Sequence, residues 1–272
     1  MTTRVPPAFF TTDGDHFVPT AMAKGPWGPT ISGNFVGGVV GHVAEMAVGD
    51  HELQPARLTV DLLRPAALAP LCGRTRIVRS GKRLTLVEAE LLQQDTVVAR
   101  ATALFLRRGD QPSGQVWSSP TTMPPLPPDA KLPPNGAPML VWAYGRNPDV
   151  AGAPFDLTEW QHDGPKFIWA RDLAPLVDGA PTTPFVRASM AGDMASSLTH
   201  YGTTGLHYIN ADYTLALSRL PEGTDIGLAA MSFTGHDGIG TGTAALFDAR
   251  GQIGTATATT LANPGFAPSA LS

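Results

Sequence analysis

Ten prolines fall between Gln111 and Pro148: Pro112, Pro120, Pro124, Pro125, Pro127, Pro128, Pro133, Pro134, Pro138 and Pro148. Proline offers no backbone N–H and holds φ fixed, so this stretch cannot sustain a helix or a central strand. It reads as an extended connector. The 272-residue chain is thereby divided into a first unit over 1–110, a connector over 111–148 and a second unit over 149–272.

The two units follow the same order of elements. The first opens with a short strand-like segment, His16 to Lys24. A helical pattern over Ile31 to Val48 follows, with Phe35, Val36, Val39, Val40, Val43, Ala44 and Ala47 at three- and four-residue spacing. Ser32 or Asn34 is placed to cap it. Gly37, Gly38 and Gly41 sit inside, each costing up to about 1 kcal/mol relative to Ala. A helix that keeps them is expected to pack very closely on a neighbour. Strand-like runs come next: Ala56–Arg64, Cys72–Ser80, Leu84–Gln93 and Thr96–Arg107. In the second unit the order is a strand-like Phe155–Ala170, a helix candidate Phe185–Ser196 beginning near Pro184, then Leu206–Leu217, Thr224–Thr234, Gly240–Asp248 and Gln252–Ala262. An offset of 155 residues lays Arg64 on Arg219, Gly81 on His236, Leu91 on Leu246 and Ala101 on Ala256 without a gap. The helices align at an offset of 151, which lays Gly41 on Gly192 and His42 on Asp193. A duplicated unit is the simplest account, and it predicts an α+β fold. Each unit wraps an antiparallel sheet around one helix, and the units join edge to edge into one continuous sheet. That union removes two exposed edges and leaves clefts where the units meet.

Composition narrows the function. The net charge of −4 and the 15% charged fraction argue against nucleic-acid binding, which favours basic chains. One cysteine, Cys72, excludes a disulfide framework within the chain and a multi-cysteine zinc site. The seven histidines are scattered, so no metal is expected. No apolar run approaches the roughly 18 residues of a membrane helix, and no signal peptide is visible in Met1 to Phe10. The expectation is a soluble cytoplasmic protein.

Four segments together resemble the acyl-CoA thioesterase II family, the double-hotdog thioesterases: "FVGGVVGHVAE" (35–45), "SMAGDMASSL" (189–198), "INADYTLALSRLPEG" (209–223) and "LFDARGQIGTATATTLA" (246–262). The likeness covers Val18–Arg108 and Phe155–Ala262, and lies in the order and spacing of the motifs. It implies a tandem hotdog fold and hydrolysis of a fatty or other acyl-CoA to free acid and coenzyme A. No cofactor is implied, since coenzyme A is part of the substrate. A homo-oligomer of double-hotdog subunits and a place in fatty acid metabolism are also implied.

In the family an Asp, a Thr or Ser, and a Gln position the attacking water. Asp193 matches the Asp, Asn210 or a neighbour stands at the Thr, and Thr259 stands at the Gln. The last is a departure, because a hydroxyl is shorter than an amide and lacks its two-armed donor and acceptor. Altered or weak activity, or ligand binding without turnover, would follow if the water is not held.

Each candidate has a plainer reading beside this one. Asp193 lies in an apolar helix, where an unpaired buried carboxylate is costly; it is either solvent-facing or a general base with partners across the sheet. Asn210 is a turn residue or the group that orients Asp193. Thr259 is a strand former that competes with Thr257 and Thr260. Gly37 and Gly38 serve close packing or offer amides to a thioester oxyanion. His42 is a buried, satisfied histidine or a substrate contact. Arg74 and Arg76 share one strand face and form a solvated face or a landing site for the phosphates of coenzyme A. Residues 1–110 hold 12 Lys+Arg and 10 Asp+Glu, which suits the latter. A dehydratase-like enzyme on the same scaffold would need a cleft histidine, for which His42 and His207 are the candidates. "GIGTGTAA" (238–245) follows a turn and enters a strand, which is the wrong setting for a nucleotide loop. Its small residues are expected to make room for close-packed neighbours or an acyl chain.

Overall fold

Apolar alternation and helical spacing resolve into fourteen strands and two long helices in a computed structural model that describes residues 8–127, 139–154 and 156–266. In the first unit these are β1 (Phe10–Asp13), β2 (His16–Pro19), α1 (Gly33–Met46), β3 (Leu53–Leu62), β4 (Leu71–Ser80), β5 (Leu84–Gln93) and β6 (Thr96–Arg107). The second holds β7 (Met139–Tyr144), β8 (Phe167–Asp172), α2 (Pro184–His200), β9 (Tyr201–Gly202), β10 (Gly205–Asn210), β11 (Asp212–Leu217), β12 (Asp225–His236), β13 (Ile239–Asp248) and β14 (Gly251–Phe266). One antiparallel sheet runs β1-β2-β4-β5-β6-β3-β11-β14-β13-β12-β8-β7, with β10 attached to β14 and β9 to β10.

The repeat is visible in the register. At the seam, β3 pairs with β11 and Thr59 stands opposite Thr214, 155 residues away; their hydroxyls hydrogen-bond at 3.1 Å. β5 and β13 start 155 residues apart, as do β6 and β14. α1 and α2 start 151 apart. The local twofold relating the two hotdogs therefore passes close to the Thr59–Thr214 pair.

Four sequence expectations are refined. The run Leu206–Leu217 breaks at Ala211, whose amide donates to the Thr259 carbonyl and whose own carbonyl accepts from Leu62. Phe155 lies outside the described residues; the rest of its segment begins with a 3-10 turn at Leu157–Trp160 and becomes a strand only at Phe167. The strand in the first segment is His16–Pro19, and Thr20 then caps a short 3-10 turn at Ala21–Ala23. The stretch read as connector also contains β7, an edge strand at one end of the sheet; Pro128, Pro133, Pro134 and Pro138 lie outside the described residues.

The helices run antiparallel, and glycine sets their distance. A Cβ at Gly37 would strike the Tyr213 hydroxyl. One at Gly38 would lie 2.6 Å from Met190 Cγ, and one at Gly41 2.6 Å from Ser189 Oγ. Tyr213 is fully buried and donates to the Ser189 carbonyl at 2.9 Å. Thr183 caps α2, accepting from the Val186 amide at 3.1 Å, with Pro184 next. Around the helices lies the main core, including Phe9, Phe35, Leu58, Leu91, Phe105, Phe185 and Leu215.

A smaller apolar cluster, with Leu140, Trp142, Tyr144, Trp169 and Phe247, is packed by Met123 and Leu126 of the connector. Trp169 Nε1 donates to the Pro124 carbonyl at 3.0 Å and the Tyr144 hydroxyl to Pro125 at 2.7 Å. Among the described residues no helix is long and apolar enough to cross a membrane.

Candidate active site

Helix α2 carries Asp193 past the start of α1. Built onto Gly33, a Cβ would lie 2.7 Å from one Asp193 carboxylate oxygen and 2.8 Å from the other. The carboxylate of one hotdog is thus pressed against the first residue of the other hotdog's helix. The Asn210 amide, at the end of β10, donates to Asp193 Oδ1 at 2.8 Å. Asp193 retains partial surface exposure, yet burial pushes its pKa up to about 6 against the Asn210 bond that lowers it. The amides of Gly33 and Asn34 have no carbonyl four residues back within the helix, and Phe35 and Val36 already donate to Ser32. Ser32 makes no side-chain cap. Two amide donors with the positive end of a helix dipole accordingly lie at the end of α1 that adjoins Asp193.

The sequence candidates distribute unevenly around this point. Asp193 and Asn210 meet. Thr259 does not join them through its side chain. Asn210 stands opposite Thr260 across the β10–β14 pair, so those two share the face turned toward α2, and alternation sends Thr259 to the other. Thr260 is buried and donates to the Gly240 carbonyl, whereas Thr259 is exposed. The Thr259 main chain still contributes, its amide donating to Asp212 Oδ1 at 2.7 Å. Thr257 faces outward and bonds Thr243.

Gly37 and Gly38 correct the oxyanion expectation. Both lie beyond the first turn of α1, where helical geometry engages each amide with the carbonyl four residues back. Their service is contact with Tyr213 and Met190. His42 packs edge-on to Phe17 at 6.0 Å and lines a cleft with Asp15, Phe17, Met46 and Thr75; burial lowers its pKa. Arg74 and Arg76 project from the exposed face of β4, held by Glu90 (2.5 Å) and Glu88 (2.6 Å) of β5. Their charges are thus balanced where they stand. His207 is exposed, with Nε2 3.3 Å from the Thr204 carbonyl.

The glycine-rich run makes room for α2. A Cβ at Gly242 would collide with Thr199, and one at Gly240 would lie 3.0 Å from His200 Cδ2. The "SRLPEG" and "DARG" segments also meet. Arg219 grips both carboxylate oxygens of Asp248, which accepts from the Glu222 and Arg250 amides as well. Burial alone would raise the Asp248 pKa, but these bonds outweigh it and hold the group at about 2. This clamp ties β11 to the β13–β14 hairpin and is structural. Among the described residues no cluster of His, Cys, Asp and Glu could hold a metal ion.

Sequence reasoning did not single out Gly33. Its signal was the position just inside the helix start, which the two candidate caps, Ser32 and Asn34, blurred.

Comparison with known proteins matches each half separately. The profile of the acyl-CoA thioesterase N-terminal domain matches residues 23–106, and that of the C-terminal domain residues 120–261. No curated protein matches the sequence. Among solved structures, an acyl-CoA thioesterase II from Mycobacterium marinum superposes with a TM-score of 0.61 at 16% identity, over 92% of this chain and 94% of that one. A Thermobifida fusca protein assigned as a thioesterase II gives 0.67 at 15% identity, over 93% and 94%. A hot-dog-fold protein of unknown function from Alicyclobacillus acidocaldarius gives 0.63 at 19%, over 94% and 96%. These likenesses speak to the fold.

Proposed function

Since the chain belongs to the acyl-CoA thioesterase family, whose two domain profiles span its two halves, we propose that Asp193 activates a water for hydrolysis of an acyl-CoA thioester. The observation that carries this is one carboxylate with a pKa near 6, oriented by Asn210 at a helix start whose first two amides have no partner among the described residues. The carboxylate removes a proton from water as the oxygen bonds to the thioester carbon. The Gly33 and Asn34 amides stabilise the developing oxyanion. The carbon–sulfur bond then breaks, and the thiolate of coenzyme A takes the proton back from Asp193. Asn210 positions the base. Thr259 acts through its main chain, holding Asp212 and with it the break between β10 and β11. His42, Arg74 and Arg76 remain proposals for substrate contacts, the arginines only if they leave their glutamates. A homo-oligomer acting on fatty acyl-CoA in the cytoplasm completes the reading.

The test is release of free coenzyme A from short to long acyl-CoAs by the purified protein. Release that falls by about two orders of magnitude in Asp193→Asn supports the reading; no release from any chain length overturns it. The outward Thr259 side chain favours one other reading, a double hotdog that binds acyl ligands without turnover. Saturable acyl-CoA binding, unchanged in Asp193→Asn and with no product, would establish that instead.

A further inference from the structure

At the opposite end of the antiparallel helix pair stands a second carboxylate with the same kind of surroundings. Glu45, in the last turn of α1, accepts at 2.6 Å from the Thr183 hydroxyl, the cap of α2. Thr183 in turn accepts from the Val186 amide, so the carboxylate is wired to the start of the other hotdog's helix. Asp193 lies against the start of α1 at Gly33, without a hydrogen bond to it among the described residues. Each carboxylate receives one side-chain hydrogen bond, from Asn210 or from Thr183. Burial raises the pKa of each.

Glu45 also opens onto a cleft, lined by apolar Val48, Leu53, Phe105 and Leu220 and by polar His51 and Arg108. The repeat identifies that cleft. Pro55 and Phe105 line it, and they lie 155 residues before Asn210 and Thr260, the groups on the helix-facing side of the Asp193 site. On its sheet side it is the counterpart of the first site. On the helix side the counterpart of Asp193, His42, faces a different cleft beside Phe17, and the acid of this cleft is Glu45, one turn along α1.

We propose that this cleft is a second, slower centre of acyl-thioester hydrolysis with Glu45 as its base. The proposal rests on the hydrolase reading of the first site. The Glu45 carboxylate takes a proton from water, whose oxygen bonds to the carbonyl carbon. The carbon–sulfur bond then breaks, and the thiol leaves with the proton returned by Glu45. Phe105 and Leu220 narrow the space to short acyl groups, and Pro55 supplies no amide to steady the water, which makes the centre slow.

Four proteins test it: wild type, Asp193→Asn, Glu45→Gln and the double variant, each followed by coenzyme A release from short and long acyl-CoAs. Glutamine keeps an oxygen for the Thr183 hydroxyl, and melting curves report folding. Asp193→Asn should keep about 1% of the wild-type rate, confined to short chains, and Glu45→Gln should lower that remainder at least about tenfold. Equal rates in Asp193→Asn and the double variant, or none in Asp193→Asn, overturn the second centre while leaving the first intact. A wild type that releases no coenzyme A overturns both. Should the double variant melt early, Leu220→Trp in the Asp193→Asn background fills the cleft and must abolish the same remainder.

Discussion

The two ends of the helix pair began as copies and no longer match. At the Asp193 end a carboxylate is steadied by an amide from the sheet and lies beside an uncapped helix start. At the Glu45 end the carboxylate is steadied by the cap itself, and proline and phenylalanine stand where the amide and a threonine hydroxyl stand at the other end. A capped helix end has spent one of its amides on Thr183, whereas an uncapped one keeps its donors for a ligand. The difference teaches that duplication preserves backbone register more strictly than side-chain chemistry.

The sharpest way to break the comparison is Asp193→Asn. It should cut kcat by about two orders of magnitude. The same change should raise stability at pH 7. A carboxyl whose pKa rises from 3.8 to about 6 on folding stabilises the fold below the lower value, and that stability is lost as pH climbs through 6. The loss is about 3 kcal/mol; asparagine escapes it, so the melting temperatures of the two proteins should diverge as pH rises from 4 to 7. A variant no more stable than wild type at pH 7 would show that the carboxylate is not desolvated. Asn210→Leu should lower kcat about tenfold. It should also move the acid limb of the kcat profile above its midpoint near 6, because the bond that lowers the pKa is gone. Between the helices, Gly37→Ala forces a methyl onto Tyr213 and should cost about 1–3 kcal/mol in urea unfolding. Thr183→Ala removes a cap worth about 1 kcal/mol; it should leave hydrolysis at Asp193 nearly untouched, which separates the two ends. Least of all, Arg76→Ala on the exposed sheet face should change stability by under about 1 kcal/mol.

Much of the architecture was legible because periodicity is a backbone property. β5 and β6 match their expected bounds residue for residue, since Ser80-Gly81-Lys82 and Gln94-Asp95-Thr96 punctuate them with turns. Where the signal failed, a tertiary contact decided. The break at Ala211 comes from hydrogen bonds to Thr259 and Leu62 on neighbouring strands, which no local pattern displays. β7 was hidden because its apolar residues lie among prolines and its strand partner is β8. At the site, Asp193 stood out as a lone acid in an apolar helix. Which face Thr259 presents depends on the register opposite Asn210. The glycines of α1 were legible as close-packing residues, but only the crossing with α2 shows that Gly33 adjoins the acid while Gly37 and Gly38 adjoin Tyr213 and Met190.

The connector lies over the Trp169–Tyr144 cluster. Pro124 and Pro125 lend their carbonyls to those aromatic side chains, and as prolines they have no N–H to lend to anyone else. At those two positions the strip that covers the aromatic cluster offers an approaching strand no donor, so it shields apolar surface while giving foreign backbone less to pair with.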